Sequence, residues 1–217
     1  DLSSVPLEVT ITPKEGEEGR YDNLPSTLTI PAGTRIEATG GTASYIAIAQ
    51  DGLLYVNGTS TNPVVMTSGN AVKATGDWGG LVICGRANTN KGGSTGQTAT
   101  SEVGDLTYGG TENTDSSGVI RYLRVEYTGA AFNATKEFNG VSLFGVGSGT
   151  VFEYVQAYKS GDDGIEFYNI IRDYIIYAIN VRNRVNFVTI IFKDIAATLK
   201  INFSFHVINR NNTFSTD

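Results

Sequence analysis

Apolar and polar residues alternate in short runs along most of the chain. Leu28 and Ile30 alternate with threonines, Ile46 and Ile48 flank Ala47, and Leu7, Val9 and Ile11 alternate with Glu8, Thr10 and Thr12. A period of two places successive side chains on opposite faces of a strand. Short strands are predicted over 27–30, 34–38, 45–49, 53–56 and 63–67. Pro31-Ala32-Gly33, Gln50-Asp51-Gly52 and Asn57-Gly58 separate them and supply residues that tolerate positive φ. Most of these connections are too short for a crossover helix. Strands joined by such corners turn round and stack parallel to earlier strands, which is the geometry of a β-helix.

The second half of the pattern repeats. Residues 119–129 (VIRYLRVEYTG) have a near copy at 151–161 (VFEYVQAYKSG), 32 positions on, with Tyr122 matching Tyr154, Leu123 matching Val155 and Gly129 matching Gly161. Residues 140–145 and 164–168 are related by 24 positions, which predicts Val141 stacked with Ile165 and Leu143 with Phe167. Internal copies of strand and glycine turn indicate a solenoid of coils. The expected class is all-β, a parallel β-helix over 24–168. Residues 1–23 are expected to form an N-terminal cap strand and loop, because an open end coil exposes unpaired backbone groups. Residues 86–118, rich in Gly, Thr, Ser and Asn, break the rhythm and read as a long inserted loop, a structural excursion or a contact surface. Residues 169–217 diverge: all 26 glycines precede them, and they carry ten isoleucines and six Lys or Arg against three Asp. They read as a C-terminal cap, as further coils with Asn-rich corners, or as a segment whose sequence departs from the native one.

Composition narrows the function. A net charge of −6 and the lack of a basic stripe argue against a nucleic-acid partner. No apolar run approaches the length that spans a bilayer, so no transmembrane segment is expected. The one cysteine, Cys84, lies in an apolar run and reads as a buried, inert thiol. The sequence starts without a leader, as a processed chain would. No Ser/His/Asp set, Walker loop, dinucleotide fingerprint or zinc spacing is found. The single histidine, His206, lies in the divergent tail and reads as structural.

TLTIPAGTRI, GLLYVNGTSTNPVVMTS, GDWGGLVICGRA, YGGTENTDSSGVIRYLRVEYTGAAF and KEFNGVSLFGVGSGTVFEYVQAYKSGDDGIEF follow one another over residues 24–168. In that order they resemble secreted or surface-exposed β-helix proteins of Bacteroidetes, among them lipoproteins and substrates of the type IX secretion system. The resemblance implies a right-handed parallel β-helix, export, and an extracellular or outer-membrane location. It carries no established activity. After Phe167 the family's Gly-Gly-Thr corner and second Asp-Asp stretch are missing.

The sharpest chemical feature is the turn Gly161-Asp162-Asp163-Gly164. Adjacent carboxylates repel unless donors or a cation compensate. The turn resembles the Gly-Asp-Asp motif of pectin-hydrolysing β-helix enzymes, which invert at the anomeric carbon with carboxylates spaced around a water. Those enzymes also need Asn-Thr-Asp, Gly-His-Gly and Arg-Ile-Lys motifs on neighbouring coils, and that set is not found. Asp162 and Asp163 are therefore the catalytic candidates only of an alternative reading, a polysaccharide hydrolase or lyase. With Glu166 they form a candidate calcium set, hard oxygen ligands for a hard cation, although the spacing matches no EF-hand. The remaining reading has both aspartates capping a corner through backbone N–H groups. Trp78, Tyr122 and Tyr154 are candidate sugar-stacking residues. The leading expectation is a non-enzymatic exported module that binds glycans or a cell-surface protein in adhesion or surface assembly, with no cofactor beyond calcium.

Overall fold

The computed structural model describes residues 27–89 and 98–168, together with the backbone of four strands further on, 175–181, 187–188, 190–191 and 205–206. The expected cap over 1–23 lies outside the described residues, as do 90–97 of the insertion. No helix among the described residues is long and apolar enough to cross a membrane.

The chain climbs in coils. The first holds β1 (Thr27–Pro31), β2 (Arg35–Ala38) and β3 (Ile46–Ile48); the second holds β4 (Leu53–Asn57), β5 (Val64–Ser68) and β6 (Leu81–Cys84). Within the insertion, β7 (Ala99–Thr100) and β8 (Thr107–Tyr108) pair antiparallel. The third coil holds β9 (Gly118–Glu126) and β10 (Val141–Phe144), the fourth β11 (Val151–Tyr158) and β12 (Ile165–Tyr168). β13 (Ile175–Val181) joins β11 in parallel. Further on, β14 (Phe187–Val188) pairs antiparallel with β16 (Phe205–His206), and β15 (Ile190–Ile191) with β13.

Three parallel faces result. β1, β4 and the first half of β9 form the first face, followed by the first half of β11. β2, β5 and the second halves of β9 and β11 form the second. β3, β6, β10 and β12 form the third. The first two faces meet at a corner that changes along the solenoid. In the second coil it is the loop 58–63 between β4 and β5. In the third and fourth coils it shrinks to one residue, Tyr122 (φ 51°) and Tyr154 (φ 56°), so that one long strand bends across both faces.

The expected stacking holds: Val141 pairs with Ile165 and Leu143 with Phe167, while the 32-residue echo sets Val119 against Val151 and Leu123 against Val155. Inward columns follow from the alternation, as in Ile30–Val56–Ile120, Ile36–Met66–Val125 and Leu81–Val141. Most of these side chains are buried, and like-on-like apolar columns form one continuous core.

A second core lies outside the third face. Val82, Cys84 and Phe144 point away from the solenoid interior and are nevertheless buried, with Val103, Tyr108, Ala130 and Phe138 packed over them. The described part of the insertion is thus docked on the third face. This explains why β6 and β10 are apolar on both sides, where a one-sided strand would alternate.

Candidate functional site

Two groups of polar and aromatic residues stand out, one on the corner between the first and second faces, the other where the chain enters the third. The first is built by the bend in β9 and β11. The left-handed backbone at Tyr122 and Tyr154 costs an L-residue roughly 1–2 kcal/mol. The bend turns both side chains out of the alternation. Their rings lie parallel, 4.4 Å apart at 8°, and Tyr154 is 50% exposed. Such a stack returns about 0.5–1.5 kcal/mol, less than the two strained residues cost together. Above Tyr122, Gly58 lets the loop 58–63 close down, since a Cβ there would meet the Tyr122 carbonyl oxygen at 2.4 Å. Below Tyr154 the register of β11 against β13 shifts: Glu153 pairs with Tyr177 and Val155 with Ala178.

Charged and polar groups flank the pair. The Arg121 Nε donates to Glu153 at 2.7 Å on the first face, which holds the guanidinium firmly protonated. On the second face Arg124 pairs with Glu126 and lies 5.3 Å from the Tyr158 ring. Tyr127 meets Tyr158 edge-on at 5.8 Å, and Lys159 sits 5.5 Å from both rings. Cation–π contacts and ion pairs fix these long side chains in place. Four tyrosines and three cations thus occupy two adjacent coils of a chain whose net charge is −6.

The second group surrounds the expected turn. Asp163 is exposed and Asp162 half-buried. The backbone of Asp163 caps a corner: its N–H donates to Asn139 Oδ1 at 3.1 Å and its carbonyl accepts from Gly140 at 2.9 Å. The aspartates' carboxyls diverge in their neighbours. Asp162 lies against Glu137, whose carboxyl is pushed up first by the Asp162 charge, then by burial and by a hydrogen bond between the two. Asp163 acts on Glu166. That carboxyl is raised mainly by burial, against the lowering effect of hydrogen bonds from Tyr168 and Asn139, with the Asp163 and Glu102 charges adding to the rise. Tyr168 donates to Glu102 of the insertion, and burial pushes its phenol far above the usual range. Among the described residues no group of three or more His, Cys, Asp or Glu is placed to hold a metal ion.

Several expectations are corrected or extended here. Trp78 is fully buried, and its indole N–H donates to the Glu126 carbonyl at 2.8 Å, so it presents no ring face to a sugar. Cys84 is buried as expected, and burial pushes its thiol up to about 12. An Asn-Thr-Asp tripeptide does occur, Asn113-Thr114-Asp115. Its side chains anchor the insertion: Asn113 Oδ1 accepts from Asn88 N–H and Asp115 Oδ2 from Arg86 N–H, both at 3.0 Å. Asp115 also accepts from Gly149 beyond β10, whereas Asp162 lies before β12, so the third face separates the two motifs. Glu102, Glu137, Asn139 and Tyr168 escaped the sequence reading; only their long-range contacts reveal them. His206 lies in β16, where only the backbone is described.

Coils of three parallel faces, closed on themselves and carrying side-chain sites on their outer corners, define a parallel β-helix protein. Residues 22–202 match the family described as a pectate-lyase-like beta helix domain, and the chain belongs to that family. Neither curated proteins nor solved structures yield a match.

Proposed function

We propose that this β-helix is a non-catalytic glycan-binding module, exported to the cell surface, whose contact surface is the corner at Tyr122 and Tyr154 with the adjoining first face. The observation that carries the proposal is the stacked tyrosine pair, Tyr154 exposed and Tyr122 half-buried, held in a strained backbone with Arg121 and Glu153 beside it. Strain that the local stack does not offset points to a site selected for something other than stability. A sugar offers an apolar C–H face to an aromatic ring and vicinal hydroxyls to a charged pair, and this corner supplies both. The outward column Tyr55–Val119–Val151 continues the surface along the axis at the strand spacing, about 4.8 Å per coil. An extended polysaccharide can follow it. The family places the chain among folds compatible with a polysaccharide-related or surface role. Right-handed coiling, which nearly all parallel crossovers adopt, belongs to this reading. A glycan array tests it: the intact chain should retain a defined set of polysaccharides and the Tyr154→Ala variant should lose them. Uniform absence of binding by the intact chain would refute the proposal.

A second reading, polysaccharide hydrolysis or lysis, is favoured by one observation. Glu137 is pushed toward its protonated form beside Asp162, as a general acid beside a carboxylate would be. It requires reducing-end or unsaturated-product release from polysaccharide, abolished in Asp162→Asn. Binding without product release leaves the first reading.

A further inference from the structure

The second face ends at a corner of its own. Tyr127 (φ 60°) and Lys159 (φ 53°) occupy equivalent positions of the third and fourth coils, and both hold the left-handed backbone that L-residues avoid. Tyr127 and Tyr158 stand edge to face, and the Lys159 ammonium lies 5.5 Å from the centre of each ring. All three side chains are half-buried. The rings hold the ammonium by its charge and leave that charge intact. Arg121 and Arg124 differ, because each already pairs with a glutamate, Glu153 and Glu126. Among the described residues Lys159 forms no ion pair and donates no hydrogen bond. The corner therefore presents an ordered, uncompensated cation in a chain whose net charge is −6. Strained backbone at a charge without a counter-ion is what a ligand subsite leaves behind when empty.

We propose that Lys159, set between Tyr127 and Tyr158, is a subsite for a sulfate or phosphate ester carried by the bound glycan. The inference rests on the glycan reading of the Tyr122–Tyr154 corner and adds the chemical class of the ligand. Lys159 follows Tyr154 by five positions, ~16 Å along an extended backbone. A glycan seated on Tyr154 reaches it by crossing the second face over the outward pair Arg124 and Gln156. The chemistry favours an ester over a carboxylate. A planar carboxylate is matched by the fork of an arginine, and both arginines here already hold glutamates. An ammonium is a compact point charge with diverging donors, which suits the terminal oxygens of a tetrahedral ester.

The test measures the affinity of the full chain for dextran, carboxymethyl-dextran, dextran sulfate and dextran phosphate at equal substitution. The net charge of −6 opposes general polyanion binding, so retention reports a local site. An esterified dextran should bind about tenfold tighter than carboxymethyl-dextran, and the tighter of the two esters identifies the source. Lys159→Gln keeps most of the stem and should lose that factor of about ten. Lys136→Gln, which removes the same charge from an exposed position, should bind within about twofold of the parent. Tyr154→Ala should weaken binding of every form. Equal affinity for esters and carboxymethyl-dextran, absence of ester binding, or ester binding untouched by Lys159→Gln overturns the proposal. Esters that bind through Lys159 as tightly in Tyr154→Ala as in the parent uphold the subsite and count against the Tyr154 platform instead.

Discussion

Replacing Trp78 with phenylalanine separates the roles assigned to the aromatic residues. The indole is fully buried in the wall of the solenoid, and its N–H satisfies the Glu126 carbonyl at 2.8 Å. The next position on that strand, toward the N-terminus, carries a core side chain, Val125, and Glu126 itself is held by Thr67 Oγ1 at 2.7 Å. Phenylalanine removes the donor and leaves a buried carbonyl unpaired, at a cost of about 1–3 kcal/mol. The lost part of the ring system adds roughly 1–2 kcal/mol of transfer and cavity free energy. The sum is about 3 kcal/mol. Urea unfolding followed by far-UV circular dichroism reads it directly, because with a slope of about 2 kcal/mol/M the midpoint should fall by roughly 1.5 M. Glycan binding below that midpoint should be unchanged. A midpoint shift under about 0.3 M, or lost binding with intact stability, would refute the placement of Trp78 in the core and restore it as a sugar platform.

The other expectations concern the corner, the coil contacts and the carboxylates. Tyr154→Gly relieves a left-handed residue and loses a stack, effects of similar size, so its urea midpoint should stay within about 1 kcal/mol of the parent while binding is lost. Gly118→Ala should destabilise by more than about 3 kcal/mol and reduce soluble yield, because a Cβ at φ 109° would meet the Leu54 carbonyl oxygen at 2.2 Å. Thermal melts against pH should show two opposing trends. Glu137 and Glu166 have raised folded pKa values, so their contribution is complete below the unfolded carboxylate value near ~4.3 and is lost as pH rises through the folded values. Glu37 and Asp51 are lowered, chiefly by hydrogen bonds from Arg35 and Arg86, so their contribution is present above the unfolded value and is lost as pH falls through the folded ones. Glu166→Gln should flatten the rise in melting temperature on acidification from neutral pH; an unchanged rise would show that Glu166 does not drive it.

The coil stack was legible because its information is local and repeated. Alternation at Leu28 and Ile30, and the recurrence of Val119–Val125 at Val151–Ala157, specify which side chains face inward and which coils pair. The bend was not legible. Tyr122 and Tyr154 carry no sequence mark of positive φ, since that corner needs a left-handed residue only where one strand bends across both faces without a loop such as 58–63 of the second coil. Trp78 was ambiguous for a related reason: a large amphipathic ring suits a core or a surface, and only the distant Glu126 carbonyl decides between them. The docking of the insertion likewise depends on partners far along the chain, such as Phe144, Phe138 and Tyr168. Asp162 and Asp163 were visible as a motif, but their neighbours Glu137 and Glu166 come from a hairpin and the next strand.

Affinity electrophoresis through gels containing a soluble polysaccharide chosen from the array tests the functional proposal most directly. The intact chain should be retarded in proportion to polysaccharide concentration, Trp78→Phe should be retarded equally, and Tyr154→Ala should migrate as in a plain gel. Retardation of Tyr154→Ala equal to that of the intact chain would contradict the assignment of the Tyr122–Tyr154 corner as the glycan-binding surface.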